Sequence, residues 1–353
     1  MGEYTYVFFE MDSWLFPLFF SFCLSLLLSF GVLFFFPILG LLDRPEKYGH
    51  KRAPIPYPGG IAPVCAFLIS TFLFFPHFDQ TLIVLCLAVF LISLVSFWDD
   101  RRHIPSLFRL CVHFCAAGMV VFSGVSIQYL GNPFGETLFL RDIFFWLPEI
   151  ITLVWIVGFA NILNWLDGVP GLSSASAAAT GVFLGWLSLT PLVAQPEIAL
   201  LSFLFAASAF AFFLFNIPPP KILLGDAGAM PYGFLIATLS VFSGGKMATI
   251  LLVLAIPFFD AAFVIFRRLL RRKNPLIGGD GLHLHDRLRL VGFSDRFLLL
   301  SFFLPSLFLG WMSLQLETFG KVLLLAGVVV GYFLLSFVLD VFLRHKHSLS
   351  SSS

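Results

Sequence analysis

Apolar stretches longer than a bilayer is thick recur along this chain, and they decide what it can fold into. They sit at about 14–42, 60–77, 81–98, 108–126, 145–163, 172–190, 198–215, 228–243, 247–266, 297–315 and 321–343. A spanning helix needs roughly 18 to 20 such residues, and only helices or closed barrels satisfy their own backbone in hydrocarbon. The runs are continuous rather than alternating with period two, which excludes a transmembrane β-barrel. Hydrophobic residues make up 59% of the chain and the mean hydropathy is +0.96, so a water-soluble globule is excluded too. The sequence predicts an all-α, polytopic membrane protein with about 11 transmembrane helices. The longer connections, at about 43–59, 127–144 and 267–296, leave no room for a soluble domain. One transmembrane domain over 1–353 is therefore expected, with its site on loops and 344–353 as a disordered tail.

The basic residues give the orientation, because cytoplasmic loops carry an excess of Lys and Arg. Of 21 basic residues, all but Arg141, Lys246 and Lys321 fall in loops after odd-numbered runs or at the carboxyl end. The amino terminus is thus predicted outside and the carboxyl terminus in the cytoplasm. The first twelve residues hold Glu3, Glu10 and Asp12 but no Lys or Arg, the wrong sign for a cleaved leader, so the first run is expected to be retained. A net charge of +1 argues against a nucleic-acid partner. The five cysteines all fall within apolar runs, without metal-ligand spacing, and are expected to be buried, inert thiols.

Four polar islands interrupt the apolar pattern, and by the charge count all of them face the cytoplasm. Asp99-Asp100 ends the third run and leads into Arg101-Arg102. It reads either as an ion-paired helix end or as a cation site, since adjacent carboxylates at membrane depth are costly without a cation or cavity. Asn161, Asn164 and Asp167 are spaced three apart and share one side of a helical turn before Gly168. Mutual hydrogen bonding inside a bundle is one reading; oxygen ligands for Mg²⁺ are the other. Asn216-Ile-Pro218-Pro219-Pro220-Lys221-Ile-Leu-Leu-Gly225-Asp226 follows the seventh run, where the prolines stop the helix and the glycine permits close approach of a ligand. The fourth, His283-Leu-His285-Asp286-Arg287, sits in the longest basic loop and suits phosphate oxygens better than zinc. Two further features stand beside them. The proline-dense loop from Asp43 to Gly60 suits a cover over a site. Asp260 lies about two turns inside the ninth run, beside a Pro257 expected to kink it.

In this order and spacing the motifs resemble the polyprenyl-phosphate N-acetylhexosamine-1-phosphate transferase family, glycosyltransferase family 4. They are closer to its WecA/TagO branch than to the ten-span MraY branch. The resemblance runs from Asp43 to about Gly292. It implies a membrane enzyme of cell-envelope glycan synthesis that joins a UDP-N-acetylhexosamine to polyprenyl (undecaprenyl) phosphate and releases UMP. By motif position it implies Mg²⁺, with Mn²⁺ as a substitute, on Asp226 and Asn164, and catalytic roles for Asp99, Asp100 and Asp167. Substrate contacts are implied for Lys51, Asn161, Asn216, Lys221, His283, His285 and Arg287. The implied partners are the UDP-sugar, the lipid phosphate and the bilayer, with a homodimer left open. An MraY-type pentapeptide substrate is the alternative, and a transporter is the non-enzymatic one. Three positions depart from the family pattern: Asp286 where a third histidine is usual, Leu223 where relatives carry an aromatic, and Ala229 in place of serine.

Overall fold

The computed structural model describes residues 2–48, 52–132, 135–191, 193–243, 247–272, 281 and 283–350. Its α-helices are α1 Gly2–Ile38, α2 Ile61–Phe74, α3 Gln80–Arg102, α4 Ser106–Phe122, α5 Leu140–Ile143, α6 Leu147–Leu166 and α7 Leu172–Leu189. The second half adds α8 Pro196–Asn216, α9 Asp226–Phe242, α10 Met247–Val253, α11 Ala255–Leu270, α12 Leu284–Val291, α13 Asp295–Gln315 and α14 Thr318–Ser350. A two-residue antiparallel ladder, β1 Tyr129–Leu130 on β2 Leu138–Phe139, is the one sheet among the described residues.

Every apolar run is helical, but the runs are not equal. Six helices (α1, α3, α6, α8, α13 and α14) are long and apolar enough to cross a membrane. The pair α10 and α11, bent by 86° at its break, makes a seventh if counted as one span. Among the described residues, six or seven of the expected eleven uniform spans are of full length, α2, α4 and α9 are apolar but shorter, and α7, of 18 residues, falls in neither group. Pro58-Gly59-Gly60, Pro105 and Gly225 stand immediately before α2, α4 and α9 and fix where they start. The break in the ninth run falls at Leu254, with Pro257 in the first turn of α11. Proline is at home there, since first-turn amides have no helical partner to lose.

α9 is the axis of the molecule, buried from Ala227 to Val241. It lies so close to α6 that a Cβ on Gly233 would stand 2.1 Å from the Phe159 carbonyl oxygen. α7 and α8 pack as an antiparallel pair beside it, and α1 covers α8. α1 and α14 are peripheral, with 22% and 17% of their apolar windows buried. Their outer faces carry Phe19, Phe34, Phe333 and Phe337, which suits a hydrocarbon solvent. Cys111 and Cys115 also lie on an exposed face, that of α4, and not in the core the sequence predicted. α14 continues through Ser350, past the start of the expected tail, because extending a formed helix costs far less than nucleating one.

Candidate active site

The ends of α3, α6 and α8 and the starts of α2, α4 and α9 meet at one end of the bundle. The Pro56–Gly60 segment is hydrogen-bonded to the 223–224 segment, through Leu223 N to Pro56 O at 3.1 Å and Gly59 N to Leu223 O at 2.8 Å. This joins the proline-dense first loop to the entry of α9. Gly225, at φ +74° and ψ 173°, makes the turn into that helix in a region only glycine occupies readily. A Cβ there would lie 2.7 Å from Pro58 Cβ and 2.9 Å from Asp100 Oδ2.

The two adjacent aspartates at the end of α3 point in different directions, as neighbours 100° apart on a helix must. Asp100 faces α9, and its carboxylate accepts the Asp226 and Ala227 amides at 3.2 and 3.0 Å. Those are orphan N–H groups at the positive end of a helix, so an acid from another helix caps them. The Tyr57 hydroxyl donates to the same carboxylate. Burial, then Asp100 and Asp226, push the Tyr57 phenol far above its ordinary range, so it stays a donor. Asp99 turns instead to the α3–α4 corner, accepting Ile104 N at 2.6 Å and pairing with Arg109 at 2.5 Å.

Arg109 Nη1 also reaches Asp226 Oδ2 at 2.9 Å, so a single guanidinium bridges two of the islands. Asn164 Nδ2 donates to Asp226 Oδ1 at 2.5 Å, and Asp167 accepts the Gly225 amide at 3.1 Å. Burial and then the Asp226 charge raise Asp167 well above the usual carboxylate range. These groups form the floor of a cavity of about 860 Å³. Its lining includes Asp100, Asn164, Asp167 and Asp226, with Asp43, Arg44, Arg52, Tyr57, Arg101, Arg102, His103 and Arg289 around them. His103 holds a left-handed conformation (φ 45°) that ends α3 and turns the chain toward α4.

Three of the four islands therefore converge, with Asp100, Asp167, Asp226 and Asn164 in one cavity. The other expected residues lie elsewhere. Asp99 is buried behind Arg109, outside the lining. Asn161 donates to its own helix at Val157 O, 2.8 Å away. Asn216 is fully buried, its amide tying Gly171 N (2.7 Å) to Ile222 O (2.8 Å). Lys221 is exposed and does not line the cavity, and Lys51 lies outside the described residues.

The histidines sit behind the cavity wall. His283 and His285 stack 5.6 Å apart, His283 bonded to Asp260 at 2.7 Å and His285 pressed against Gly168. Arg287 turns away toward α14, to Ser336 Oγ at 2.7 Å. The arginine that α12 presents to the cavity is Arg289, which donates to Gly168 O at 2.7 Å.

Sequence reasoning missed Tyr57 and His103, and counted Arg44, Arg52, Arg109 and Arg289 only for orientation. The basic character of the first and last loops was the available signal, but nothing in the spacing says which arginine faces in.

Among the described residues, no three His, Cys, Asp or Glu side chains are grouped closely enough to cage a metal ion. The donor set nonetheless suits Mg²⁺, which takes one or two carboxylates and completes its shell with water and phosphate oxygens. Asp100 and Asp167 face the cavity with hydrogen bonds from a phenol and backbone amides, while Arg109 is shared between Asp99 and Asp226. Among the described residues neither Asp100 nor Asp167 is ion-paired to a basic side chain, so a bound cation would supply their counter-charge.

A profile of glycosyl transferase family 4 matches residues 82–244, the stretch that carries Asp99, Asp100, Asn164, Asp167 and Asp226. Over that stretch the chain is similar to this family. It is 27% identical over 273 residues to a probable undecaprenyl-phosphate N-acetylglucosaminyl 1-phosphate transferase of Bacillus subtilis, covering 75% of this chain and 74% of that one. It is 29% identical over 276 residues to the undecaprenyl-phosphate alpha-N-acetylglucosaminyl 1-phosphate transferase of Yersinia pestis, covering 73% and 72%. A phospho-N-acetylmuramoyl-pentapeptide-transferase of Chlorobaculum tepidum is 26% identical over 308 residues, covering 77% and 82%. These relatives are transferases by name, and the charged cavity at the helix ends is lined by Asp100, Asn164, Asp167 and Asp226 of the matched stretch.

Proposed function

We propose that this protein transfers N-acetylhexosamine 1-phosphate from a UDP-sugar to undecaprenyl phosphate, yielding the undecaprenyl diphospho-sugar and UMP. The observation that carries the reading is the cavity itself, where acids from three helix ends meet under a rim of arginines. Phosphoryl transfer between two anions needs this combination: positive groups on the phosphate oxygens and carboxylates to hold a divalent cation. An oxygen of the lipid phosphate bonds to the β-phosphorus of the UDP-sugar. The bond from that phosphorus to the oxygen bridging to the α-phosphate breaks, and UMP leaves with the electron pair.

Arg101, Arg102 and His103 on one wall, Arg44 and Arg52 on the first loop, and Arg289 on α12 hold and orient the phosphates. A phosphate monoester is largely ionised at neutral pH, so the nucleophile needs no strong base. Asp99 then serves by fixing Arg109, and Arg109 by fixing Asp226. Asp226 with Asn164, Asp100 and Asp167 about it would hold Mg²⁺ or Mn²⁺, which supplies neutralisation of the diphosphate charge. The site belongs on the cytoplasmic face of the plasma membrane, in an eleven-pass topology with the amino terminus outside. The basic loops support this orientation. So does the order in which helices begin and end at the cavity, with α2, α4, α7, α9 and α13 leaving it and α1, α3, α6 and α8 returning.

The test is UMP release by the purified protein given undecaprenyl phosphate, Mg²⁺ and a panel of UDP-N-acetylhexosamines, with products identified by mass. Turnover of at least one of them is expected, and no UMP from any would overturn the reading. The Chlorobaculum relative favours adding UDP-N-acetylmuramoyl-pentapeptide to the panel, and turnover of that donor alone would replace the N-acetylhexosamine assignment.

A further inference from the structure

α14 lines no part of the cavity, yet it supplies polar partners to the segment behind the cavity wall. Tyr332 Oη donates to Asp260 Oδ1 at 2.9 Å. The same carboxylate holds His283 Nδ1 at 2.7 Å and accepts the Leu284 amide at 2.8 Å. One turn along, Ser336 Oγ accepts from Arg287 Nη1 at 2.7 Å. A further turn along, Asp340 lies 3.3 Å from both Arg287 and Arg267. Tyr332, Ser336 and Asp340 are spaced four apart, so they form a single polar stripe on an otherwise apolar helix.

That stripe governs a buried charge. Arg287 is 3% exposed, and its Nε and Nη2 have no hydrogen-bond partner among the described residues. The polar partners of its side chain, Ser336 and Asp340, are both on α14. A guanidinium buried this deeply is tolerated only while its counter-charge stays in place. α12 carries Arg287 on one side and reaches the cavity on the other. Arg289 donates to Gly168 O, and a Cβ on Gly168 would stand 2.5 Å from His285 Nε2.

We propose that Tyr332, Ser336 and Asp340 are positioning residues that lock α12, and through it Arg289 and the stacked histidines, against the Asp167–Gly168 wall. None of them touches substrate; they set where Arg289 stands. The kinetic consequence rests on the phosphoryl-transfer reading above, and the structural consequence does not.

Two measurements on the full-length protein in nanodiscs separate these. In hydrogen–deuterium exchange, Tyr332→Phe and Asp340→Asn should speed exchange of the Leu284–Leu288 amides by about tenfold while leaving the start of α9 unchanged. Unchanged exchange at 284–288 overturns the proposal, and equal acceleration at α9 shows general loosening and overturns it too. In the UMP-release assay, Asp340→Asn should lower kcat by about tenfold, but by less than about twofold in an Arg289→Ala background, because both act through one group. Asp340→Glu should restore most of the rate. Fully additive losses overturn the link to Arg289. If the unmodified protein releases no UMP, the assigned reaction fails while the exchange measurement still decides the positioning role.

Discussion

Asp226 is the residue on which the site turns, since it accepts from Asn164 and Arg109 and its own amide is capped by Asp100. Asp226→Asn keeps the shape but removes the charge, and UMP release should fall by about a hundredfold or more. Activity close to that of the unmodified protein would remove Asp226 from the metal and phosphate site. His285 gives a second prediction at this scale. Burial holds its pKa below the ordinary histidine value, with Asp286 pulling the other way. A depressed histidine is neutral in the folded protein where the unfolded chain, near pH 6.5, takes up a proton. Stability should therefore be fully present above that pH and decline as pH falls below it. Thermal denaturation between pH 7.5 and 5.5 should show this slope, and His285→Asn should flatten it. The residue scale was also where the sequence reading was most uneven. Asp100, Asp167, Asp226 and Asn164 were legible because polar groups at the edges of apolar runs are rare. Arg287 was assigned to phosphate and Arg289 left out, because two positions on a short helix decide which arginine faces the cavity and which faces α14.

Among the elements, the entry to α9 carries the most constraint. Its first amides are capped by Asp100, its turn is made by Gly225, and its body is pressed against α6 at Gly233. Gly225→Ala forces a backbone conformation that costs about 1–3 kcal/mol and adds a methyl against Pro58 and Asp100. The expected result is a lowered denaturation midpoint together with strongly reduced UMP release, since the strain moves the Asp226 amide itself. A variant as stable and active as the unmodified protein would show that the turn is not constrained. The kink expected beside Pro257 is present as an 86° bend between α10 and α11, but it falls three residues earlier, at Leu254, with Pro257 in the first turn of the second helix.

For the whole molecule, the relevant quantity is the group of carboxylates, Asp100, Asp167 and Asp226, gathered at one end of the bundle. A divalent ion that binds the folded state alone should raise the denaturation midpoint with rising concentration, by mass action. Mg²⁺ at millimolar levels is expected to do so, and Asp226→Asn to abolish most of the shift while leaving the response to monovalent salt unchanged. A shift equal in the variant would place the ion elsewhere. The measurement is independent of turnover, so it tests the cation site apart from the reaction.

The sequence by itself determined that the chain is helical and lives in a membrane, because uninterrupted apolar runs admit no other fold. It also determined that rare acids sit at the ends of apolar runs and that all basic residues but Arg141, Lys246 and Lys321 fall in loops after odd-numbered runs or at the carboxyl end. Hydropathy and charge are summed along the chain, so they can be read from it. What only the tertiary structure decided is which of two adjacent aspartates faces the cavity, which arginine of α12 reaches it, and that Asn216 fastens loops together. Those outcomes depend on the rotation of each helix about its axis and on its neighbours. A shift of one position, about 100°, separates Asp100 on the start of α9 from Asp99 on Arg109.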